Sequence, residues 1–151
     1  MPKPRHRIAI VNHQRLVPVN RKLLRRAIRA VLEGEGIDAA EISLAIVSDG
    51  EIARLNKTYL DHEGPTDVIT FPLSRPGASP LEGEIVVSIE TAVREAGRRG
   101  LHPDRELCLY VVHGMLHLCG YDDLDPKARR RMRGRERHYL KHLADSGLAS
   151  S

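Results

Sequence analysis

Aromatic side chains are scarce in this sequence, with no tryptophan, one phenylalanine and four tyrosines. A broad base-stacking platform is therefore excluded, and any affinity for nucleic acid would rest on backbone electrostatics more than on base reading. Cysteine is nearly absent as well. Cys108 and Cys119 are the two present, and if both sit on one helix they lie roughly 16 Å apart at the usual rise per residue. That is too far to bridge, and free buried thiols suit a reducing cytoplasm. No eighteen apolar residues occur together, and the opening "MPKPRHRIAIVNHQ" carries charge but no apolar run of signal length. The expectation is a soluble, cytoplasmic protein with no membrane segment. At 151 residues and 41% hydrophobic content the chain has material for one compact core, so a single domain over 1–151 is expected. No internal repeat or low-complexity stretch stands out.

Positive charge, by contrast, is concentrated. The formal net charge is +4, and "NRKLLRRAIRA" and "KARRRMRGRERHYLKH" hold most of the excess, the second with eight Lys and Arg against one acid, Glu136. Each stretch alone reads equally well as a solvated helix face. Two separate, strongly one-signed stretches favour phosphate attraction, with Arg129, Arg130 and Arg131 as candidate RNA contacts.

Periodicity organises the rest. "RIAIV" (7–11) reads as a strand, and Leu23, Leu24, Ile28, Val31 and Leu32 recur at helical spacing between Asn20 and Glu35. "EISLAIVS" is a second strand, followed by a short helix capped by Ser48 or Asp49. "TDVITFPL" is a third strand, ended by its proline, and "EIVVSI" a fourth. Ser88 then caps a helix to Arg99. The most apolar helix, from Pro103 to about Gly120, presents Cys108, Val111, Val112, Met115 and Cys119 as a stripe toward the sheet. A basic helix runs from about Pro126 to Leu143, and residues 149–151 are expected to fray. The pattern predicts an α/β (α+β) fold with a small mixed sheet of about four strands and four to five helices.

The chemistry concentrates in "HGMLHLCGYDD". His113 and His117 lie about 40° apart on one helix face, so their imidazoles can aim at one point. Such a pair alone is weak evidence, since eight histidines placed at random would give roughly 0.4 pairs, and a second pair, His138 and His142, has no acid to complete a site. That second pair reads as surface. The first is followed by Gly120, which can end the helix in a left-handed turn and bring Asp123 back toward the imidazoles. The pattern H-x3-H-x2-G-x2-D has the spacing of the elongated zinc motif of metzincin-like peptidases. His113, His117 and Asp123 are thus candidate ligands of one zinc ion. The alternative is that "GYDD" is only a polar helix exit whose acids cap the next helix; the whole pattern favours metal.

Zinc peptidases carry a glutamate general base after the first histidine, and here that residue is Gly114. Peptidase spacing without the peptidase base, combined with clustered positive charge, points to phosphodiester hydrolysis.

Three segments resemble one family, the YbeY endoribonucleases of ribosomal RNA maturation. Its H-G-x-L-H-L-x-G-Y-D-H is matched by "HGMLHLCGYDD", its L-N-x2-Y-R and P-T-D-V-L-S-F-P by "LNKTYLDHEGPTDVITFP", and its G-D-I-x-I-S by "GEIVVS", in the family's order, over roughly residues 40 to 143. The resemblance implies a zincin-like α/β fold and a zinc-dependent, single-strand-directed endoribonuclease, with one zinc per chain, acting in 16S ribosomal RNA processing and ribosome quality control. His113 and His117 fall on the family's first two metal histidines. The third is histidine in the family and Asp123 here, which can still bind zinc but lowers the site's net charge by one. The motif's arginine is Leu60, so a phosphate clamp is missing. Leucine at that position is expected to pack on the core side of its helix. Asp67 either orients a ligand or terminates a turn, and the turn is favoured. Two rival readings are a ribosome-associated RNA-binding factor with weak or no nuclease activity, which Leu60 favours, and a metallopeptidase, which Gly114 disfavours. The attacking nucleophile and other catalytic residues are not identified.

Overall fold

The computed structural model describes residues 3–145, so the expected fraying of 149–151 falls outside the described residues. The elements run β1 (Arg5–Asn12), α1 (Arg21–Gly34), β2 (Ala39–Val47), α2 (Asp49–Leu60), β3 (Val68–Pro72), β4 (Leu81–Ser88), α3 (Ile89–Arg99), α4 (Pro103–Leu118) and α5 (Pro126–Asp145). Ser48 and Ser88 are the caps that the sequence predicts, and Asn20 adds one for α1. The side chains of Asn20, Ser48 and Ser88 accept from the backbone N–H groups of Leu23, Glu51 and Thr91, satisfying donors that the first turns of α1, α2 and α3 leave open.

The sheet order is β1-β2-β4-β3. β1, β2 and β4 are parallel, and β3 returns antiparallel at the edge, with Val68 opposite Val87 and Pro72 opposite Gly83. The sheet is therefore mixed, and an antiparallel edge strand beside a histidine-bearing helix is compatible with a zincin-like arrangement.

Strand alternation splits the apolar residues between two faces. Ile42, Leu44, Ile46, Ile85 and Val87 face a large core completed by α1, α4 and α5, in which Val111, Val112, Met115 and Leu116 are fully buried. Burial of that degree stabilises by about 1.5–3 kcal/mol per large apolar side chain. Val47, Ile69 and Val86 face the other way and pack under Ile52 of α2. The expected stripe of α4 thus lies in the larger core. Burial pushes both thiols, Cys108 and Cys119, up to about 12, with Asp104 adding to the first and Glu35 to the second, so neither is poised as a nucleophile. No helix of the described residues is long and apolar enough to cross a membrane.

Candidate metal centre

α4 is the central helix, held against β3 and β4, and it carries His113 and His117 one turn apart on its half-buried edge. Their Nε2 atoms stand 3.1 Å apart with the rings nearly perpendicular at 79°. Two nitrogen ligands about 2.0–2.1 Å from one tetrahedral ion would stand roughly 3.3 Å apart, so this spacing suits a shared metal.

The third group arrives through a helix ending that local sequence encodes. α4 stops at Leu118, two residues before the expected limit, because the N–H of Gly120 donates to the His117 carbonyl at 3.0 Å and that of Tyr121 to Leu116 at 3.0 Å. That bond pair is a Schellman ending, and Gly120 occupies its left-handed position with φ +103°. The chain turns back, and ligand atoms of His113, His117 and Asp123 all lie within 4.8 Å of one another. Among the described residues this is the group of histidine, cysteine and acidic side chains placed to hold a metal ion. The polar-exit alternative assigns the capping of α5 to these acids, but the cap is Asp125, whose Oδ1 accepts from the Ala128 N–H at 2.8 Å. Asp122 accepts from Leu124 N–H at 3.1 Å. Asp123 is left exposed, facing the histidines.

Glu136 had no role in the sequence beyond interrupting a basic run. In the fold its Oε2 lies 2.6 Å from Nδ1 of His113, with the Glu136 side chain 14% exposed. A carboxylate there keeps the proton on Nδ1 and leaves Nε2 free to face the shared point. Burial lowers the proton affinity of His113, but the bond and charge of Glu136, helped by Asp123 and Asp67, outweigh it and hold the imidazole above its ordinary value. His117 moves the other way: burial and the neighbouring His113 hold it below, against Asp123 and a backbone hydrogen bond with Tyr121. A neutral His117 is the form that binds a cation.

Gly114 has a packing reason. A Cβ at this position would stand 3.1 Å from Oγ1 of Thr70 and 3.1 Å from Cγ2 of Ile85, so the residue after His113 lies against β3 and β4 and faces away from the site. A glutamate there would enter the core.

The remaining sequence expectations divide. His138 and His142 are both exposed on α5, as expected of a surface pair. Asp67 behaves as a turn residue: its Oδ1 accepts from the Val68 N–H at 2.8 Å and from the Thr66 hydroxyl at 3.3 Å. Arg129, Arg130 and Arg131 are exposed near the start of α5; Arg129 donates to the Asp123 carbonyl at 3.3 Å, and Arg131 lies over the Tyr121 ring, 5.6 Å from its centroid. Arg135 of the same basic run is instead bound to Glu35 and Tyr139. The expectation that Leu60 packs on the core side is wrong. Leu60 is 44% exposed, because it is the last residue of α2 and Asp61 turns the chain away in a left-handed conformation with φ 54°.

Residues 9–144 match the family model described as endoribonuclease YbeY. The chain belongs to the YbeY endoribonuclease family. Named endoribonucleases YbeY similar to it include that of Salinibacter ruber, 39% identical over 125 residues covering 78% of this chain and 79% of the relative. Another is that of Geobacter sulfurreducens, 34% identical over 148 residues covering 94% and 99%. The solution structure of a Thermotoga maritima protein is similar in fold, with a TM-score of 0.68 and 27% identity over 95% of both chains.

Proposed function

We propose that the protein is a zinc-dependent endoribonuclease that cuts single-stranded segments of ribosomal RNA, acting in 16S maturation and ribosome quality control in the cytoplasm. The observation that carries this reading is the meeting of His113, His117 and Asp123 at one point on a chain of this family. His113, His117 and Asp123 would hold the ion, and Glu136 would orient the first of them. A zinc ion supplies a Lewis acid for the phosphodiester when bound. The exposed Arg129, Arg130 and Arg131 would meet backbone phosphates beside the site, giving affinity that does not depend on base identity. Gly114 accepts no proton and faces the core, which argues against peptide hydrolysis by the peptidase route.

The reading is tested by elemental analysis and RNA cleavage on untagged protein and two variants. His117→Ala should lose zinc and cleavage together, while His142→Ala keeps both. Equal zinc in all three would place the metal elsewhere. One observation favours a second reading, an RNA-binding factor with weak nuclease activity: Leu60, where the family motif has arginine, is exposed and brings no positive charge. Metal-independent RNA binding with no cleavage would select it.

A further inference from the structure

The ligand-bearing groups are steadied from outside α4, and the supports lead to one carboxylate. Tyr121, whose N–H closes the end of α4 on the Leu116 carbonyl at 3.0 Å, stands four residues after His117 and two before Asp123 in the turn that delivers it. The Tyr121 hydroxyl donates to Oε1 of Glu35 at 2.9 Å. His113 leans on Glu136 of α5, and the residue before Glu136, Arg135, donates to Oε2 of Glu35 at 2.8 Å. The Tyr139 hydroxyl, one turn along α5, donates to the same oxygen at 2.5 Å and accepts from Arg135 at 2.8 Å. Glu35 itself caps the end of α1, lies outside every motif of the sequence, and has a side chain only 14% exposed.

One oxygen of Glu35 thus holds the turn behind His117 and Asp123, and the other holds the helix behind His113. We propose that Glu35 is a positioning residue of the metal centre, setting the turn that carries Asp123 and the stretch of α5 that carries Glu136 at the same time. The inference rests on the metal reading above. The carboxylate offers an acceptor oxygen to each side, and removing the side chain frees both. Glutamine would not, because its oxygen can face Arg135 and Tyr139 while its N–H donates to the Tyr121 hydroxyl, which can accept. Since rigid support of ligands governs metal affinity, loosening either side should appear as weaker binding before it appears as unfolding.

The test uses the full chain and zinc itself, titrated in competition with a chromophoric chelator. Unfolding of the metal-free proteins and the absorption of their cobalt forms are followed alongside. Glu35→Ala and Tyr121→Phe should each weaken zinc binding by about tenfold or more and alter the cobalt spectrum. Tyr121→Phe leaves Arg135 and Tyr139 on Glu35, so it keeps α5 in place if the first variant folds poorly. The double variant should lose less than the two single losses combined, because both remove the same bond. Wild type and both variants binding zinc equally, with only metal-free stability reduced, would make Glu35 a plain clip between helices and overturn the proposal. A wild-type chain that took up no zinc would overturn the metal reading itself and the proposal with it.

Discussion

Nδ1 of His113 and Oε2 of Glu136 meet at 2.6 Å, although 23 residues separate them and they lie on different helices. The bond makes a titratable ring on α4 depend on the placement of α5. Replacing Glu136 by glutamine leaves an acceptor but removes the charge that favours the Nδ1 proton. Zinc affinity should fall about 10- to 100-fold, as is usual when the partner of a ligating histidine is altered. Chelator competition on the two proteins measures it, and unchanged affinity would reduce the pair to a surface contact.

Gly114→Glu addresses the peptidase comparison directly. With a Cβ 3.1 Å from both Thr70 and Ile85, the longer side chain must push β3 and β4 away or distort α4. Overpacking of this kind costs about 1–3 kcal/mol, and the buried carboxyl adds to that. Urea unfolding should show the loss, and peptide substrates should survive exposure to the variant.

Leu60→Arg should raise single-strand cleavage. The leucine is 44% exposed, so the substitution disturbs little packing, and it puts positive charge where the family motif has it. Removing one group that stabilises developing negative charge commonly costs a hundredfold to a thousandfold, roughly 3 to 4 kcal/mol, which bounds the gain. Asp123→His should add to it while zinc stays bound. Single-turnover assays with and without chelator decide; a wild type already as fast as Leu60→Arg would mean that another cation serves as the clamp.

Affinity for single-stranded RNA should fall linearly in log terms with salt. Changing Arg129, Arg130 and Arg131 to glutamine should flatten the slope by roughly two units, at about 0.7 for each phosphate of a single strand that is no longer neutralised. An unchanged slope returns the start of α5 to the status of a solvated face.

Acid stability should depend on Glu35. Burial pushes its carboxyl upward, but the hydrogen bonds from Tyr139, Arg135 and Tyr121 together outweigh that and hold it below the ordinary value of 4.5. The folded state therefore binds this proton less readily than the unfolded chain. Its contribution to stability is present above the unfolded value and is lost as pH falls from there through the lowered folded value. Urea midpoints of wild type and Glu35→Gln should differ most at neutral pH and converge in acid. A gap that stayed constant to low pH would contradict the lowered carboxyl.

What the sequence alone could establish at the site was local. His113 and His117 sit at i and i+4 of one helix, and helical geometry places them together whatever surrounds them. The return of Asp123 was legible because Gly120 permits a backbone conformation that the next three residues follow. The caps at Ser48 and Ser88 were legible for the same reason, each bond spanning three residues. Tertiary packing decided the rest. Glu136 became the partner of His113 only because α5 packs across α4, and in the sequence it was one acid among basic residues. Arg135 left the exposed basic surface for Glu35, 100 residues away, and Leu60 turned outward because α2 ends on it. Glu35 gathers two tyrosines and an arginine from segments 86 to 104 residues distant, and Gly114 is required by the closeness of Thr70 and Ile85. Side-chain periods and caps report a residue's neighbours along the chain, whereas these contacts depend on how helices cross, which no local pattern carries.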